Sequence, residues 1–145
     1  MIMPYEYLED IAIADTAFKA WGKDLEETFI SAANATMHVM VEDLDSIQLQ
    51  EKREIQLENE ELDMLLFNFL QEFIYYKDAE QLIVRTQQIQ IKGKDHTYVL
   101  EATAMGEKLN PKRHHLKVDV KAVTLHHFRL ERTDSGWETL VILDV

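Results

Sequence analysis

Cysteine is absent from the 145 residues of the chain, and glycine and proline are scarce, with 4 and 2 copies. Without cysteine there can be no disulfide, no thiolate metal ligand and no cysteine nucleophile. Without stretches rich in glycine and proline, no segment has the composition of a flexible linker. Because this length supplies one hydrophobic core and not two ordinary ones, we predict a single domain over residues 1–145.

Positive charge is also scarce, since Lys and Arg total 15 against 27 Asp and Glu, for a formal net charge of -12. Such a surplus repels a phosphate backbone, so direct sequence-specific binding of nucleic acid is not expected. It suits a basic protein partner or a divalent cation, or serves only solubility. The sequence has no signal peptide and no apolar run of membrane-spanning length, so we expect a cytoplasmic protein without a membrane partner. The oligomeric state stays open, with a monomer as the expectation.

The common sequence motifs of enzymes are missing too. The chain contains no glycine-rich phosphate loop, no His-x-x-x-His pair and no Gly-x-Ser-x-Gly elbow. We therefore expect a protein that is not itself an enzyme.

Two stretches have the pattern of α-helices. Asp24 can cap a first helix from Leu25 to about Met40, in which apolar residues recur every three or four positions. Asn59 can cap a second helix from Glu60 to about Lys77. From Met64 to Tyr76 apolar side chains surround most of this second helix. It is either sandwiched in the core, which is the commoner case, or offers an apolar face to a partner.

The other segments have the alternating pattern of β-strands. They are Tyr5 to Leu8, Ala14 to Gly22, Ile47 to Leu57, Gln81 to Ile91, His96 to Met105, a stretch from Leu116 to Leu130, and Trp137 to Val145. A change of parity within the sixth strand predicts a bulge near His126-His127. The order β-β-α-β-α-β-β-β-β predicts an α+β fold, a single two-layer domain with a mixed, mostly antiparallel sheet and two main helices.

Several polar clusters could in principle carry chemistry. His114-His115 and His126-His127 are adjacent pairs, and neighbours on a strand point to opposite faces, so neither pair can chelate one ion without a bulge. We interpret these histidines as surface or hydrogen-bonded residues. The acidic run Glu42 to Asp45 lacks the spacing of a calcium-binding loop and indicates a solvated helix exit. Asp10, beside Glu9, is equally well explained as a turn residue.

Asp15 and the last two residues are better candidates for holding a hard cation. Asp15 enters an apolar strand, where a buried carboxylate without a partner would be costly. Asp144 and Val145 follow directly from a strand, which would hold the α-carboxylate of Val145 in place beside the side chain of Asp144. The residues alone are explained about as well by Asp144 being an ordinary exposed strand end.

Several segments resemble the archease family over nearly the whole chain. At the amino-terminal end the resemblance lies in Tyr5 to Leu8, in Ala14-Asp15-Thr16-Ala17-Phe18-Lys19-Ala20-Trp21-Gly22 and in Leu25 to Phe29. Near the other end, Val120 to His126 is similar to the Lys-Ala-Val-Thr-Tyr-His element of the family, and Gly136 to Val145 to its closing strand. The central strand and the second helix match in arrangement more than in residues.

The resemblance implies a specific role. Archeases bind a divalent ion, calcium in the family picture with Mn²⁺ or Mg²⁺ as alternatives, and the matching ligand positions here are Asp15, Asp144 and the terminal carboxylate of Val145. They assist the RtcB-type RNA ligase of tRNA splicing, promoting guanylylation of its active-site histidine and restoring it for multiple turnover. The ligase uses GTP and manganese, and the archease is its chaperone-like activator.

One departure from the family pattern concerns the residues before the second strand. Family members usually carry Asp-His-Thr-Ala-Asp, where this chain has Ile11-Ala12-Ile13-Ala14-Asp15. The ligand position Asp15 is kept, whereas Ala12 replaces the family histidine. Two other functions stay open: a small metal-dependent hydrolase around Asp15 and Asp144, and a chaperone-like module that binds proteins through the aromatic helix face from Phe67 to Tyr76.

Overall fold

The computed structural model describes residues 4–8 and 15–145. The described residues form seven strands and two α-helices in the predicted order. Their bounds are β1 (Tyr5–Leu8), β2 (Asp15–Gly22), α1 (Leu25–Met40), β3 (Glu51–Asn59), α2 (Leu62–Glu80), β4 (Leu82–Lys94), β5 (Thr97–Lys108), β6 (Ala122–Thr133) and β7 (Gly136–Asp144), with a short 3₁₀ helix at Leu44–Ser46. The predicted α+β class with two main helices is confirmed.

The strands form two antiparallel sheets. One has the order β1-β2-β7-β6 and the other the order β3-β5-β4. Both helices contact strands of both sheets. This division of the predicted sheet follows from α2, because its apolar side chains occupy most of its circumference and need cover on more than one side.

The burial of α2 decides between the two interpretations of its apolar surface. Seven of its large side chains are buried: Leu65, Leu66, Phe69, Leu70, Phe73, Ile74 and Tyr76. Tyr75, by contrast, is 59% exposed. The helix is therefore sandwiched in the core, and the aromatic face from Phe67 to Tyr76 is largely unavailable to a partner.

At the start of each helix, a nearby polar side chain accepts a hydrogen bond from a backbone N–H group. Asp24 caps α1 as predicted, since its carboxylate accepts a hydrogen bond of 2.8 Å from the backbone N–H of Glu27. The second helix starts at Leu62, two residues later than predicted. The Asn59 side chain accepts from the backbone N–H of Glu61 at 2.9 Å, and so closes the turn between β3 and the helix instead of capping the helix itself.

Two predicted strand segments are wrong. Ile47 closes the 3₁₀ helix through a backbone hydrogen bond to Leu44, so β3 begins only at Glu51. The alternating residues from Leu116 to Val120 precede β6 instead of belonging to it. Their backbone N–H groups at 117 and 118 donate to the carbonyls of residues 40 and 39, because the end of a helix leaves carbonyl groups without intrahelical partners.

The β6–β7 hairpin contains the predicted bulge. Thr124 is opposite Ile142 and Arg129 is opposite Leu140, so four residues of β6 face the single residue Val141. The hairpin turns at Gly136, whose φ of +147° favours glycine and where a Cβ would lie 2.8 Å from the Cα of Lys23. The bulge was predicted from the change of parity in the sequence and is confirmed.

Candidate functional site

Strand pairing brings Asp15 and Asp144 together. They are direct partners at one end of the β2–β7 ladder. Directly opposite residues on antiparallel strands have Cβ atoms about 4.5–5.5 Å apart and side chains on the same face. Asp15 is half-buried and Asp144 is exposed. Two carboxylates that are far apart in the sequence therefore lie side by side at an accessible end of the two central strands of this sheet.

Val145 is positioned by its own side chain. Val141 and Leu143 are buried in the hydrophobic core, and the half-buried Val145 side chain, two positions further on, packs against the same core. The Asp144 side chain, with the opposite parity, lies on the other face of the sheet. Packing of the valine side chain therefore restrains the backbone at Val145, directly beside Asp144.

The strand on the other side of β7 is held in place by a buried lysine. Lys77 of α2 donates a hydrogen bond from Nζ to the carbonyl of Val120 at 2.8 Å and also forms an ion pair with Asp119. The next residue, Lys121, donates its backbone N–H to the carbonyl of Asp144 at 2.8 Å. Ala122 then stands opposite Asp144. A small methyl group therefore flanks the aspartate on that side and leaves room around its carboxylate.

Within residues 4–8 and 15–145, neither aspartate has a counter-ion from the protein. No ion pair formed within the described residues includes Asp15 or Asp144. The same sheet shows the alternative arrangement, because Glu131 and Glu138 are also directly opposite each other. Arg129 bridges that pair, with contacts of 3.1 Å to Glu131 and 3.3 Å to Glu138. Like charges directly opposite each other destabilise a sheet, and a cation held between the two aspartates would relieve their repulsion.

The donor set at the aspartates is made of oxygen. The described part of the chain contains no group of three or more His, Cys, Asp or Glu side chains arranged to hold a metal ion. Asp15 and Asp144 therefore supply two side-chain donors, and the third proposed donor is the α-carboxylate of Val145. Carboxylate oxygens are the ligands that Ca²⁺, Mg²⁺ and Mn²⁺ prefer, so these residues fit a hard divalent cation. The departure at Ile11 to Ala14 lies outside the described residues.

A second polar cluster, which sequence reasoning missed, is buried beside β5. Glu107 accepts hydrogen bonds from the backbone N–H of Gln48 at 2.5 Å, from the guanidinium of Arg113 and from Nε2 of His114 at 3.1 Å. The other ring nitrogen of His114 accepts from the backbone N–H of Asn110 at 2.9 Å. All these partners are satisfied, so the cluster ties the segment after β5 to the segment before β3. Its signal in the sequence, a carboxylate six residues before an arginine, is too common to be noticed.

We expect the Glu107 cluster to make stability depend on acidic pH. Burial alone would raise the pKa of Glu107, but the hydrogen bonds from Arg113, Gln48 and His114 outweigh it and lower the pKa to about 2. A carboxyl group with a depressed folded-state pKa stabilises the fold above its unfolded pKa, and that contribution is lost as the pH falls from about 4.5 to about 2. Urea unfolding across this window should show a smaller loss of unfolding free energy for Glu107→Gln, which cannot titrate, than for the parent. Equal losses would contradict this assignment.

The acidic run Glu42 to Asp45 and the first histidine pair have local roles, whereas Asp10 lies outside the described residues. The carboxylate of Asp43 caps the short 3₁₀ helix by accepting from the backbone N–H of Asp45 at 3.0 Å. Asp45 in turn pairs with Arg85 at 3.0 Å. His114 is buried and hydrogen-bonded, whereas His115 is exposed. The acidic run is therefore a solvated helix exit, as interpreted.

None of the described helices is long and apolar enough to cross a membrane.

Comparison with known proteins identifies the family. The model of the Archease protein family (MTH1598/TM1083) matches residues 5–145. The chain belongs to the archease family. The resemblance noted in the sequence is thereby confirmed.

Two relatives called protein archease show how similar this chain is in sequence to other members of the family. The archease of Pyrococcus abyssi is 36% identical over 142 residues, covering 97% of this chain and 96% of the relative. The archease of Pyrococcus furiosus is 35% identical over 142 residues with the same coverage. The chain therefore spans the archease sequence nearly from end to end.

Solved structures agree with the archease assignment. The solution structure of protein 1598 from Methanobacterium thermoautotrophicum has a TM-score of 0.86 at 32% identity and covers 99% of this chain and 100% of that one. The crystal structure of an archease from Thermotoga maritima, described as a possible chaperone, has a TM-score of 0.63 at 21% identity, with 97% and 100% of the chains covered. The second similarity shows the fold alone.

Proposed function

We propose that this archease-family protein is an accessory protein of an RtcB-type RNA ligase in tRNA splicing. In this role it promotes guanylylation of the ligase and supports multiple turnover, and it joins no RNA itself. Family membership supports the role, and so does the net charge of -12, which suits approach to a positively charged, RNA-binding enzyme. The same charge disfavours direct binding to RNA.

The proposed working part is a divalent-cation site formed by Asp15, Asp144 and the α-carboxylate of Val145. The observation that carries this proposal is the cross-strand aspartate pair without a protein counter-ion within the described residues, in a sheet where the corresponding glutamate pair is bridged by Arg129. Two or three charged oxygens favour a hard cation, and Ca²⁺ is the proposed ion, with Mn²⁺ or Mg²⁺ as alternatives.

The role of the protein at this site is to place the carboxylates and to supply their negative charge. β2 and β7 pair Asp15 with Asp144, and the packing of the Val145 side chain against the core supports the terminal carboxylate as the third ligand. When bound, a divalent cation supplies a positive charge at the edge of an otherwise acidic surface. The three carboxylates would hold the ion at a fixed place on the sheet, within reach of a bound ligase. No general base is placed beside them in the described residues, so the geometry favours an accessory role over a hydrolase.

We expect Asp144→Asn to weaken Ca²⁺ binding by more than tenfold. The substitution keeps the size of the side chain but removes one charged oxygen ligand, and calcium affinity depends strongly on the number of charged ligands. Because Asp144 is exposed, the domain should still fold. Isothermal titration calorimetry of Ca²⁺ into the parent and the variant measures the effect, and Asp15→Asn should behave in the same way.

The matched control for this titration is Glu138→Gln. Glu138 lies in the same strand and also faces a carboxylate, Glu131, but its charge is paired with Arg129. Its substitution should change Ca²⁺ affinity less than twofold. If Asp144→Asn and Glu138→Gln have equal affinities, the ion is held elsewhere and the proposed ligand set is wrong.

A further inference from the structure

The bulge in β6 lies outside the carboxylate site and places two histidine side chains together. Residues 125–128 of β6 are accommodated opposite Val141. Within them, the rings of His126 and His127 have centroids 4.2 Å apart and planes inclined at 54°. Adjacent residues on a regular strand point to opposite faces and cannot bring their rings together. The bulge therefore lets two neighbouring histidines approach one ion, which a regular strand would not allow.

The backbone at the bulge is unusual at the second histidine. His127 has a φ of 53°, in the left-handed region that favours glycine. The bulge turns the side chain of Phe128 inward, where its ring packs edge to face against Phe67 of α2. The ring centroids are 5.8 Å apart. Packing of Phe128 accounts for the change of parity, but not for two imidazole rings in contact at the exposed side. Backbone strain of this kind is often retained where a site requires it.

Neither imidazole ring has a polar partner among residues 4–8 and 15–145. His126 and His127 are exposed, and the hydrogen bonds and ion pairs of the described residues involve no ring nitrogen of either. The nearby cation Arg129 is already occupied by Glu131 and Glu138. The other adjacent pair differs, because both ring nitrogens of His114 have protein partners. Only the pair in the bulge offers two open imidazoles on neighbouring residues within the described chain.

We propose that His126 and His127 form a two-imidazole site for a borderline transition-metal cation such as Zn²⁺. Imidazole nitrogen suits Zn²⁺, Ni²⁺ and Cu²⁺, whereas Ca²⁺ requires oxygen ligands, so this site is chemically distinct from the aspartate pair. With zinc–nitrogen bonds of about 2.0–2.1 Å in a tetrahedral site, two ring centroids lie about 5 Å apart. The observed separation of 4.2 Å is shorter, so the rings of these exposed side chains must turn apart to bind the ion. The inference does not depend on the proposed role in RNA ligation.

The first test follows each histidine separately. The protein labelled with ¹⁵N is titrated with Zn²⁺ up to one equivalent, and the ring nitrogen resonances of the 6 histidines are recorded by NMR. We expect those of His126 and His127 to shift together and to saturate at one equivalent. The resonances of His115 should not move. His115 is exposed, but both ring nitrogens of its neighbour His114 already have protein partners. Shifts spread over all exposed histidines, or none at one equivalent, would overturn the proposal.

The second test uses variants that preserve the fold. His126→Gln removes one ligand, and His127→Asn removes the other with a residue that tolerates a left-handed backbone. Each should weaken Zn²⁺ binding at least tenfold by calorimetry, while His115→Gln should change it less than twofold. Ca²⁺ binding should be the same in all three variants, which separates this site from the carboxylates. Zinc affinity retained by both variants in the bulge would refute the site, even if the calcium result holds.

Discussion

A carboxyl-terminal extension is expected to abolish most of the divalent-cation affinity of this protein. One proposed ligand is the α-carboxylate of Val145, and a peptide bond to any following residue converts it into an amide. The extension removes one negative charge and one bidentate oxygen donor, and it places new backbone beside Asp144. Because calcium affinity follows the number of charged ligands, we expect a loss of more than tenfold, comparable to that of Asp144→Asn, when Ca²⁺ is titrated by calorimetry.

The control for this prediction is the same tag at the other end of the chain. An amino-terminal tag leaves Asp15, Asp144 and Val145 unchanged and should alter Ca²⁺ affinity less than twofold. Thermal unfolding in the absence of metal should be similar for the two tagged forms, because the Val145 side chain can still pack against the core. If the carboxyl-terminal tag leaves binding intact, the terminal carboxylate is not a ligand and the set must be revised.

The largest expected effect on stability comes from Gly106→Ala. Gly106 lies in β5, the central strand of the three-stranded sheet, opposite Val84. A Cβ there would lie 2.7 Å from the Cα of Val84 and would also collide with the backbone of Ile83. Since the obstacle is the backbone of a paired strand, relief requires the strands to separate. We expect a loss of about 3 kcal/mol in unfolding free energy, measured by urea denaturation.

A matched glycine shows what the substitution costs without the collision. Gly93 lies in β4 of the same sheet, and a Cβ there would meet only the ring of Tyr98, at 3.9 Å. Gly93→Ala should therefore change the unfolding free energy by less than about 1 kcal/mol, in the direction of greater stability if the reduced freedom of the unfolded chain dominates. If the two variants are equally stable, close backbone approach at Gly106 is not important for the fold.

Secondary structure could be predicted from the sequence where a local pattern was compatible with only one kind of element. The first helix was placed correctly because Asp24 caps it and its apolar residues keep a regular spacing. The bulge in β6 was predicted because a change of parity is visible in the sequence. The segment from Leu116 to Val120 failed because alternation also suits an extended chain that hydrogen-bonds to the end of a helix. The division into two sheets depends on long-range packing around α2, which no local pattern records.

The candidate site could be predicted only in part. The position of Asp15 within an apolar strand marked it as a carboxylate that needs a partner, but its pairing with Asp144 is a matter of strand register. The absence of a counter-ion at this pair within the described residues, and the contrast with the bridged glutamates, required the structure. The Glu107 cluster was missed because its members come from three loops and strand ends that only the fold brings together.

Guanylylation of an RtcB-type ligase in the presence of this protein is the most direct test of the proposed accessory role. Labelled GTP and manganese are supplied, the chain is added below the concentration of the ligase, and covalent GMP on the ligase is quantified together with multiple-turnover RNA joining. We predict that the parent and Glu138→Gln increase both, that Asp15→Asn and Asp144→Asn do so at least tenfold less, and that the chain alone joins no RNA. Equal stimulation by the parent and the aspartate variants would contradict the proposed metal site, and no stimulation by any of them would contradict the proposed role in RNA ligation.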